Sequence, residues 1–278
     1  MTFLTFALIS AMNLLIGLCV GLTGIAGFLL PMFYSGFLNF PSAVSLALSF
    51  SAFLVSGILG SVNYKKSGNL DLKTGCMMAL GSLPGAVFGV RLNLLIPEET
   101  IKLLLYAVVL VSGISILLRE YQPFARSKKA AKTAPGAIDK NESGTFGNIF
   151  YIFLGIITAA VCAASGAGGP VLVMPLLTIC GFSAHTAIGI ALFDSIFIAM
   201  PAAFGYLKAA IALTEIPDAA FTLHAPIAAL HILPIILVFH GIGVFAGSRY
   251  AVRINQKLLK TIVAVASIGI ACLKLSGI

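Results

Sequence analysis

Apolar runs of about 20 residues follow one another along almost the whole chain, and they limit the possible folds more than any other feature. Wound as an α-helix, a run of this length crosses a hydrocarbon core about 30 Å thick. Lipid offers no partners to open sheet edges, and the runs do not alternate as barrel strands do, so each is predicted to be helical. The sequence therefore predicts an all-α, polytopic integral membrane protein.

Composition and charge exclude the soluble classes of protein. Of the 278 residues, 59% are hydrophobic and 9% are charged, whereas a soluble domain carries roughly 25% charged residues. The net charge of +8 does not indicate nucleic-acid binding, because the basic residues lie in short connections that flank the apolar runs. A soluble enzyme is therefore excluded. The sequence contains no nucleotide-binding loop, nucleophile elbow or metalloprotease motif, so no catalytic residue and no cofactor is predicted.

The opening apolar segment is expected to stay in the membrane, because no basic residue precedes Lys65 to form the charged region of a secretory signal. The five cysteines lie in apolar surroundings, and His224, His231 and His240 have no carboxylate at a ligand spacing, so no metal site is predicted. We expect these histidines to form hydrogen bonds between helices, with a role in proton relay as the alternative. We expect a multi-pass protein of the cell membrane, the bacterial inner membrane, in contact with lipid. Its oligomeric state is open, with a homodimer as one candidate.

The chain divides into two halves that carry the same order of features. The long polar stretch 119–147 predicts a flexible cytoplasmic linker between a first membrane repeat, 1–118, and a second, 148–278. The glycine motif over 23–27 returns over 165–169 at an offset of 142 residues, and a proline follows each copy. Five further residues recur at an offset of 158: Gly85, Gly89, Arg91, Ile96 and Lys102 return as Gly243, Gly247, Arg249, Ile254 and Lys260. The halves are therefore predicted to be homologous repeats.

Each half predicts four helical segments, the first of them broken by the glycine motif, which makes about eight in all. The predicted bounds are 3–38, 42–63, 72–95 and 99–118 in the first half, and 148–182, 186–207, 222–248 and 256–275 in the second. If each broken segment returns to its own side as a hairpin, every strongly basic connection lies in the cytoplasm and the halves are inverted repeats. If each broken segment crosses once, the halves are parallel. The positive-inside rule favours the hairpins, and the other arrangement stays open.

The glycine motifs are the predicted substrate site. Irregular backbone at membrane depth is tolerated only where protein or a polar cavity satisfies its N–H groups. Helix N-termini carry a partial positive charge, which suits an anion without a permanent charge in the bilayer. The candidate residues are Thr23, Gly24 and Gly27 in the first half and Ser165, Gly166, Gly168 and Gly169 in the second. The alternative is that these small residues only allow close helix packing.

Asp194 is the only carboxylate deep inside an apolar run. Burial favours its neutral form, so it is the candidate proton-coupling residue; the alternative is a protonated or capped carboxylate, bonded to Ser195 or nearby backbone, without a transport role. Ser195 itself, and Ser49 and Ser51 of a serine-rich span, are further candidates for anion binding. Hydroxyls that bond back to their own helix are nevertheless the commoner case.

The pattern resembles a known family. "GLTGIAGFLLP", "SGAGGPVLVMP", the "AVSLAL" and "AIGIAL" segments that follow them, and the "YKKSGNLD" loop are similar to segments of the sulfite exporter TauE/SafE family of membrane permeases. The resemblance covers both halves but not the linker, and it implies transport of sulfur-containing anions such as sulfite or organosulfonates. It also implies a substrate role for the glycine motifs, with Thr23 and Ser165. The thinner first motif and the "YLKAAIAL" segment depart from the family pattern where selectivity would be set.

The sequence and the resemblance together predict a permease that moves a small anion, sulfite or an organosulfonate, by alternating access. A proton is the candidate coupling ion, and the resemblance favours export. One alternative is a passive anion channel, which the same half-helices could form. Two others are a transporter of an unrelated small carboxylate and a membrane-embedded assembly or sensor subunit.

Overall fold

The computed structural model describes residues 3–24, 26–97, 145–212 and 232–251, with scattered residues between 99 and 117 and between 261 and 272. All regular structure in these ranges is helical, which confirms the predicted all-α class. The α-helices with defined bounds are α1 Phe3–Thr23, α2 Leu29–Gly36, α3 Ser42–Lys66, α4 Leu72–Leu95, α5 Thr145–Ser165, α6 Gly169–Ile179, α7 Ala184–Ala212 and α8 Leu233–Tyr250. A 3-10 turn over Ala26–Phe28 precedes α2.

Six of these helices, α1, α3, α4, α5, α7 and α8, are long and apolar enough to cross a membrane, which confirms a multi-pass membrane protein. With 8 and 11 residues, α2 and α6 are too short to cross alone. Large apolar side chains on the spanning helices point outward, where lipid would cover them. Phe88, Phe153 and Phe204 are 62%, 61% and 73% exposed.

Local chemistry explains where several helices begin. The Asp71 carboxylate accepts hydrogen bonds from the backbone N–H groups of Lys73 and Thr74, at 3.1 and 3.4 Å, and so caps α4. Pro41 directly precedes α3, and Pro170 lies in the first turn of α6, where a missing N–H leaves no helical bond unmade.

The helix bounds differ from the predicted ones by a few residues. α4 matches its predicted range of 72–95. α3 ends at Lys66 rather than at residue 63, and α7 continues to Ala212 rather than ending at 207. α5 already begins at Thr145, inside the predicted linker. Residues 119–144 of that linker, and the predicted start of the seventh segment at 222, lie outside the described residues.

Both glycine-broken segments are hairpins. In the first, the Tyr34 hydroxyl of α2 donates to Asn13 Oδ1 in the middle of α1, at 2.9 Å, so α2 runs back along α1. In the second, the rings of Tyr151, near the start of α5, and Phe182, just after α6, pack edge to face with their centroids 6.2 Å apart. Each segment therefore folds back along its own first helix, and the inversion of the two halves in the membrane stays a prediction.

The corresponding helices α3 and α7 pack antiparallel. Near the end of α3, the Tyr64 side chain contacts Gly189, close to the start of α7. Nearer the start of α3, Phe50 stacks on Tyr206, close to the end of α7, with ring centroids 5.6 Å apart. Repeats related by an axis in the membrane plane require this antiparallel pairing, whereas parallel repeats would place the two helices in the same direction.

The glycines that recur at an offset of 158 make equivalent contacts in the two halves. In each contact, a Cβ on the glycine would collide with a backbone carbonyl of a parallel neighbouring helix, α5 for α4 and α1 for α8. The contacts are Gly85–Ile156, Gly89–Ala160, Gly243–Leu14 and Gly247–Leu18. The facing residues also correspond, because Leu14 and Leu18 return as Ile156 and Ala160 at the offset of 142 found for the glycine motifs. This is the packing expected of two repeats, whose common origin stays a prediction.

Basic helix ends gather on one side of the protein. α3 and α8 end together, because Asn63 Nδ2 donates to Ser248 Oγ at 2.7 Å. Lys65 and Lys66 at the end of α3 and Arg249 at the end of α8 therefore lie on the same side. α4 begins on this side, and α5, which is parallel to α4, begins there too. The positive-inside rule assigns it to the cytoplasm.

Candidate functional site

Left-handed glycines end the first helix of each hairpin. Gly24 follows α1 with a φ of +70°, and Gly166 and Gly168 follow α5 with φ values of +75° and +76°. Residues with a Cβ rarely adopt this conformation, so glycine is the residue that turns the chain here. The amides of Gly24 and Gly166 still donate to the preceding helix, at the carbonyls of Val20 and Cys162. At each break the chain thus leaves the helix with the N–H group of this glycine still hydrogen-bonded.

The two breaks meet at Phe53, near the middle of α3. A Cβ on Gly27 would lie 3.0 Å from one edge of the Phe53 ring, and a Cβ on Gly168 would lie 3.2 Å from the other edge. A Cβ on Gly166 would approach Pro31 of α2 to 3.6 Å. The structure therefore brings together the two motifs that the repeat pattern predicts to face one another.

A small cavity of about 10 Å³, roughly the room that one water molecule needs, lies between the hairpins and the central helices α3 and α7. Most of its wall is apolar, with Phe53 among the lining side chains. Ser56 and Ser195 are the wall residues with polar side chains, and glycines of both motifs also line the cavity. No charged side chain is among the described residues of this wall.

Both short helices begin at the cavity. α6 starts at Gly169, directly after Gly168 of the wall. α2 starts at Leu29, directly after the 3-10 turn that contains Gly27 of the wall. The first N–H groups of a helix have no acceptor within it, and the helix dipole adds a partial positive charge there. The cavity thus lies at two sources of positive potential although its wall carries no cation.

Four of the residues predicted for substrate binding line the cavity: Gly24, Gly27, Gly168 and Ser195. Gly169 lies just behind them, where a Cβ would be 3.2 Å from the Ser195 side chain and 2.9 Å from Ile198. The structure therefore brings glycines of both motifs together with the hydroxyl of α7.

The remaining predicted residues do not line the cavity. Three hydroxyls donate to carbonyls of their own helices at 2.7 Å: Thr23 to Cys19, Ser49 to Ser45 and Ser51 to Ala47. The Ser165 hydroxyl accepts from the Ala167 N–H within the turn, at 3.4 Å. Gly166 packs against Leu46. These residues shape the breaks and helices around the cavity rather than its wall.

Asp194 is buried outside the cavity wall. It is 0% exposed and lies on α7 near Ser82 of α4. Neither carboxylate oxygen has a hydrogen-bond partner of good geometry among the described residues, and the Ser82 hydroxyl donates to the Gly155 carbonyl instead, at 3.4 Å. The bond to Ser195 considered from the sequence is not formed, because Ser195 donates to the Leu192 carbonyl at 2.7 Å. A buried carboxylate without a partner favours its neutral form.

Sequence reasoning did not select Phe53 or Ser56. Ser56 belongs to the serine-rich helix that was recognised, but nothing in its spacing separates it from Ser49 and Ser51. Its distinguishing contact is with His240 of α8, whose Nε2 lies 2.6 Å from the Ser56 hydroxyl. Phe53 is one of many apolar residues of α3 and has no sequence signal of its own.

Comparison with known proteins extends over both halves. The profile described as Sulfite exporter TauE/SafE matches residues 9–274. A curated relative, the probable membrane transporter protein YdhB of Bacillus subtilis (strain 168), is 23% identical over 203 residues, which cover 72% of this chain and 78% of the relative. No solved structure matches the chain.

Proposed function

Because the chain belongs to the sulfite exporter TauE/SafE family of membrane transporters, we propose that it carries a small anion through the cavity between the two hairpins. One observation supports this most: both glycine breaks, at Gly27 and Gly168, meet at a single cavity. Helix packing alone does not require two left-handed breaks to converge, whereas a substrate site at a repeat interface does.

The chemistry of the wall favours an anion over a cation. Two helix starts supply hydrogen-bond donors and partial positive charge. A cation would need carboxylates or several inward-facing carbonyls, and no carboxylate is among the described wall residues. Asp194, the nearest candidate, is buried outside the wall.

The family and the apolar part of the wall favour sulfite or a short organosulfonate. In this state the cavity has room for about one water molecule, so the site must widen when an anion enters. A sulfite or sulfonate head presents three oxygens that can accept from backbone N–H groups. They can also accept from Ser56 and Ser195 once these hydroxyls turn away from the carbonyls of Ala52 and Leu192, at 3.1 and 2.7 Å. A methyl or similar group of a sulfonate would contact the apolar part of the wall, at Phe53.

The closed state of the cavity favours alternating access over a permanently open channel. Ser56 and Ser195 are both 2% exposed and Phe53 is 3% exposed, so these wall residues are buried. The two hairpins hold equivalent positions around this site. Movement of one hairpin would open the cavity to one side, and movement of the other would open it to the opposite side. Export is the direction that we propose from the family.

Asp194 is the proposed proton-coupling residue. Its oxygens lack hydrogen-bond partners among the described residues, so it can take up and release a proton without breaking an existing bond. It neighbours Ser195 of the wall in the chain, and a change in its charge would be felt at the cavity through low-dielectric protein. We expect Asp194→Asn to retain anion binding and to lose the dependence of uphill transport on a pH gradient.

Anion binding is tested by thermal stabilisation of the purified protein in detergent. Sulfite, methanesulfonate and acetate are compared with chloride at equal ionic strength, since a ligand that binds the folded state raises the unfolding temperature by an amount that grows with the ratio of its concentration to its Kd. Sulfite or methanesulfonate should stabilise most, and Ser195→Ala should weaken the affinity about tenfold or more, because a hydrogen bond to a charged group is lost. Ser61→Ala, on α3 but outside the wall, should not. Stabilisation by acetate alone would indicate a carboxylate carrier, and equal effects of all salts would contradict the proposal.

A further inference from the structure

His240 lies directly behind the cavity wall. Its side chain is 0% exposed, on the part of α8 that packs against α3. Ring atom Nε2 is 2.6 Å from the Ser56 hydroxyl oxygen, and Ser56 lines the cavity. A single hydroxyl group therefore separates an ionisable ring from the space in which an anion would sit.

The other ring nitrogen faces α1. Nδ1 lies beside the backbone of Asn13, although it makes no hydrogen bond of good geometry with the described residues. A Cβ on Gly17 would be 3.1 Å from Nδ1, so the glycine leaves room for the ring. Asn13 in turn accepts a hydrogen bond from Tyr34 of α2. Polar contacts thus run from the cavity through His240 to the first hairpin.

The helices around the ring carry few ionisable groups. In their described parts these groups are Cys19 on α1, Tyr64, Lys65 and Lys66 on α3, and Arg249 and Tyr250 on α8. The lysines and the arginine lie at the cytoplasmic ends, and the Tyr64 hydroxyl donates to the Gly21 carbonyl at 3.5 Å. The described parts of α1, α3 and α8 therefore supply no carboxylate to balance a charged ring. An anion in the cavity would supply that balance.

We propose that His240 is a positioning residue whose protonation is coupled to anion binding through Ser56. The inference rests on the proposed function, because it assigns the cavity to an anion. It adds a second titratable group, in the same half of the protein as Asp194 but on a different helix.

The hydrogen-bonding rules of a hydroxyl explain the coupling. In a neutral ring with its proton on Nδ1, the bare Nε2 accepts the Ser56 hydrogen, and the Ser56 oxygen presents only lone pairs to the cavity. A proton taken from water at Nε2 converts the ring to imidazolium, which now donates to the Ser56 oxygen. The Ser56 hydrogen is then released from the ring and can turn from the Ala52 carbonyl, 3.1 Å away, to donate to an anion in the cavity. Protonation of the ring and binding of the anion therefore favour each other.

The corresponding place in the first half contains a contrasting pair. Ser82 of α4 corresponds to His240 at the offset of 158, and it lies near Asp194 of α7. The α3/α8 and α7/α4 interfaces thus each bury a hydroxyl beside an ionisable side chain. In the first interface the hydroxyl is on the central helix α3, and in the second the ionisable group is on the central helix α7. His240 becomes positive on charging and Asp194 becomes negative. Of the two, only charging of His240 increases attraction for an anion.

The test measures methanesulfonate binding, because this anion keeps one charge over the working range whereas sulfite itself titrates. Binding to the purified full-length protein is followed by calorimetry between pH 6 and 8, and proton uptake is followed with an indicator dye in weak buffer. For the wild type we expect tighter binding on acidification, by up to about tenfold per pH unit, and proton uptake on binding. His240→Gln should bind with an affinity that changes less than about twofold over the range and should take up no proton through position 240.

Two further variants keep the result interpretable. Ser56→Ala removes the hydroxyl but keeps the histidine, so it should weaken binding and reduce the pH dependence, even if His240→Gln fails to fold. His185→Gln removes a histidine at the start of α7 and should behave as the wild type. If the wild type binds the anion and both His240→Gln and Ser56→Ala keep its pH dependence, the inference is overturned and the proposed function stands. No binding of methanesulfonate or sulfite at any pH would overturn both.

Discussion

At the scale of the residue, Gly168 has two independent reasons to lack a side chain. Its φ of +76° lies in the left-handed region, and a Cβ would lie 3.2 Å from the Phe53 ring. Gly181, at the far end of the same hairpin, has only the first reason: its φ is +92°, but nothing lies within 4 Å of an added Cβ. The two glycines therefore separate the effect of backbone strain from the effect of filling the cavity.

We predict that Gly168→Ala and Gly181→Ala lose similar stability, about 1–2 kcal/mol each, because both place a Cβ in left-handed backbone. Only Gly168→Ala should lose sulfite affinity, by about tenfold or more, since its methyl group displaces Phe53 into the cavity. Thermal unfolding with and without sulfite measures both quantities. An equal loss of affinity in the two variants would show that strain, and not cavity shape, controls binding.

The sequence predicts the glycine positions because left-handed turns in an apolar run require small residues, and these stand out from their surroundings. It does not predict Phe53, whose importance comes from lying between two distant hairpins. It also does not predict the contact between Ser56 and His240, which are 184 positions apart in the chain. Ser49 and Ser51 show the opposite case, because their hydroxyls satisfy carbonyls of their own helix.

At the scale of the element, parallel helix pairs are held at close distance by recurring glycines. We predict that Gly85→Leu and Gly243→Leu each lower stability by about 1–3 kcal/mol or more, because a side chain at either place collides with a backbone carbonyl of the facing helix. Phe88→Leu, at a residue that is 62% exposed on α4, is the control and should change stability little. Thermal unfolding in detergent gives the comparison. A large loss for one glycine and none for the other would contradict the equivalence of the two halves.

The elements that could be predicted from the sequence are those marked by basic connections or by the length of an apolar run. The hairpins follow from the basic connections, since only a returning segment places all of these on one side. The start of α4 coincides with a clear cap at Asp71. The pairing of α3 with α7 could not be read from periodicity, because these helices are buried on several faces and their apolar residues surround them.

At the scale of the whole molecule, the antiparallel α3 and α7 place the segments before them at opposite faces. Asn39 precedes α3 and Ser183 precedes α7, and both are exposed. We predict that single cysteines at these positions, in a protein whose native cysteines have been replaced, react with a membrane-impermeant thiol reagent from opposite sides of sealed vesicles. Asn39 should react from outside and Ser183 from the cytoplasmic side. Labelling of both positions from the same side would show that the two halves are parallel.

The central claim is that the two hairpins together form the anion site of a carrier. Counterflow of labelled sulfite in proteoliposomes tests it most directly, with wild type, Gly169→Leu and Gly181→Leu compared at equal amounts of folded protein. Gly169→Leu has no room for its side chain beside Ser195 and Ile198, whereas the Cβ at Gly181 lies in open space. The account predicts saturable exchange by the wild type and Gly181→Leu, and none by Gly169→Leu. Exchange by Gly169→Leu at the wild-type rate, or flux that does not saturate, would contradict it.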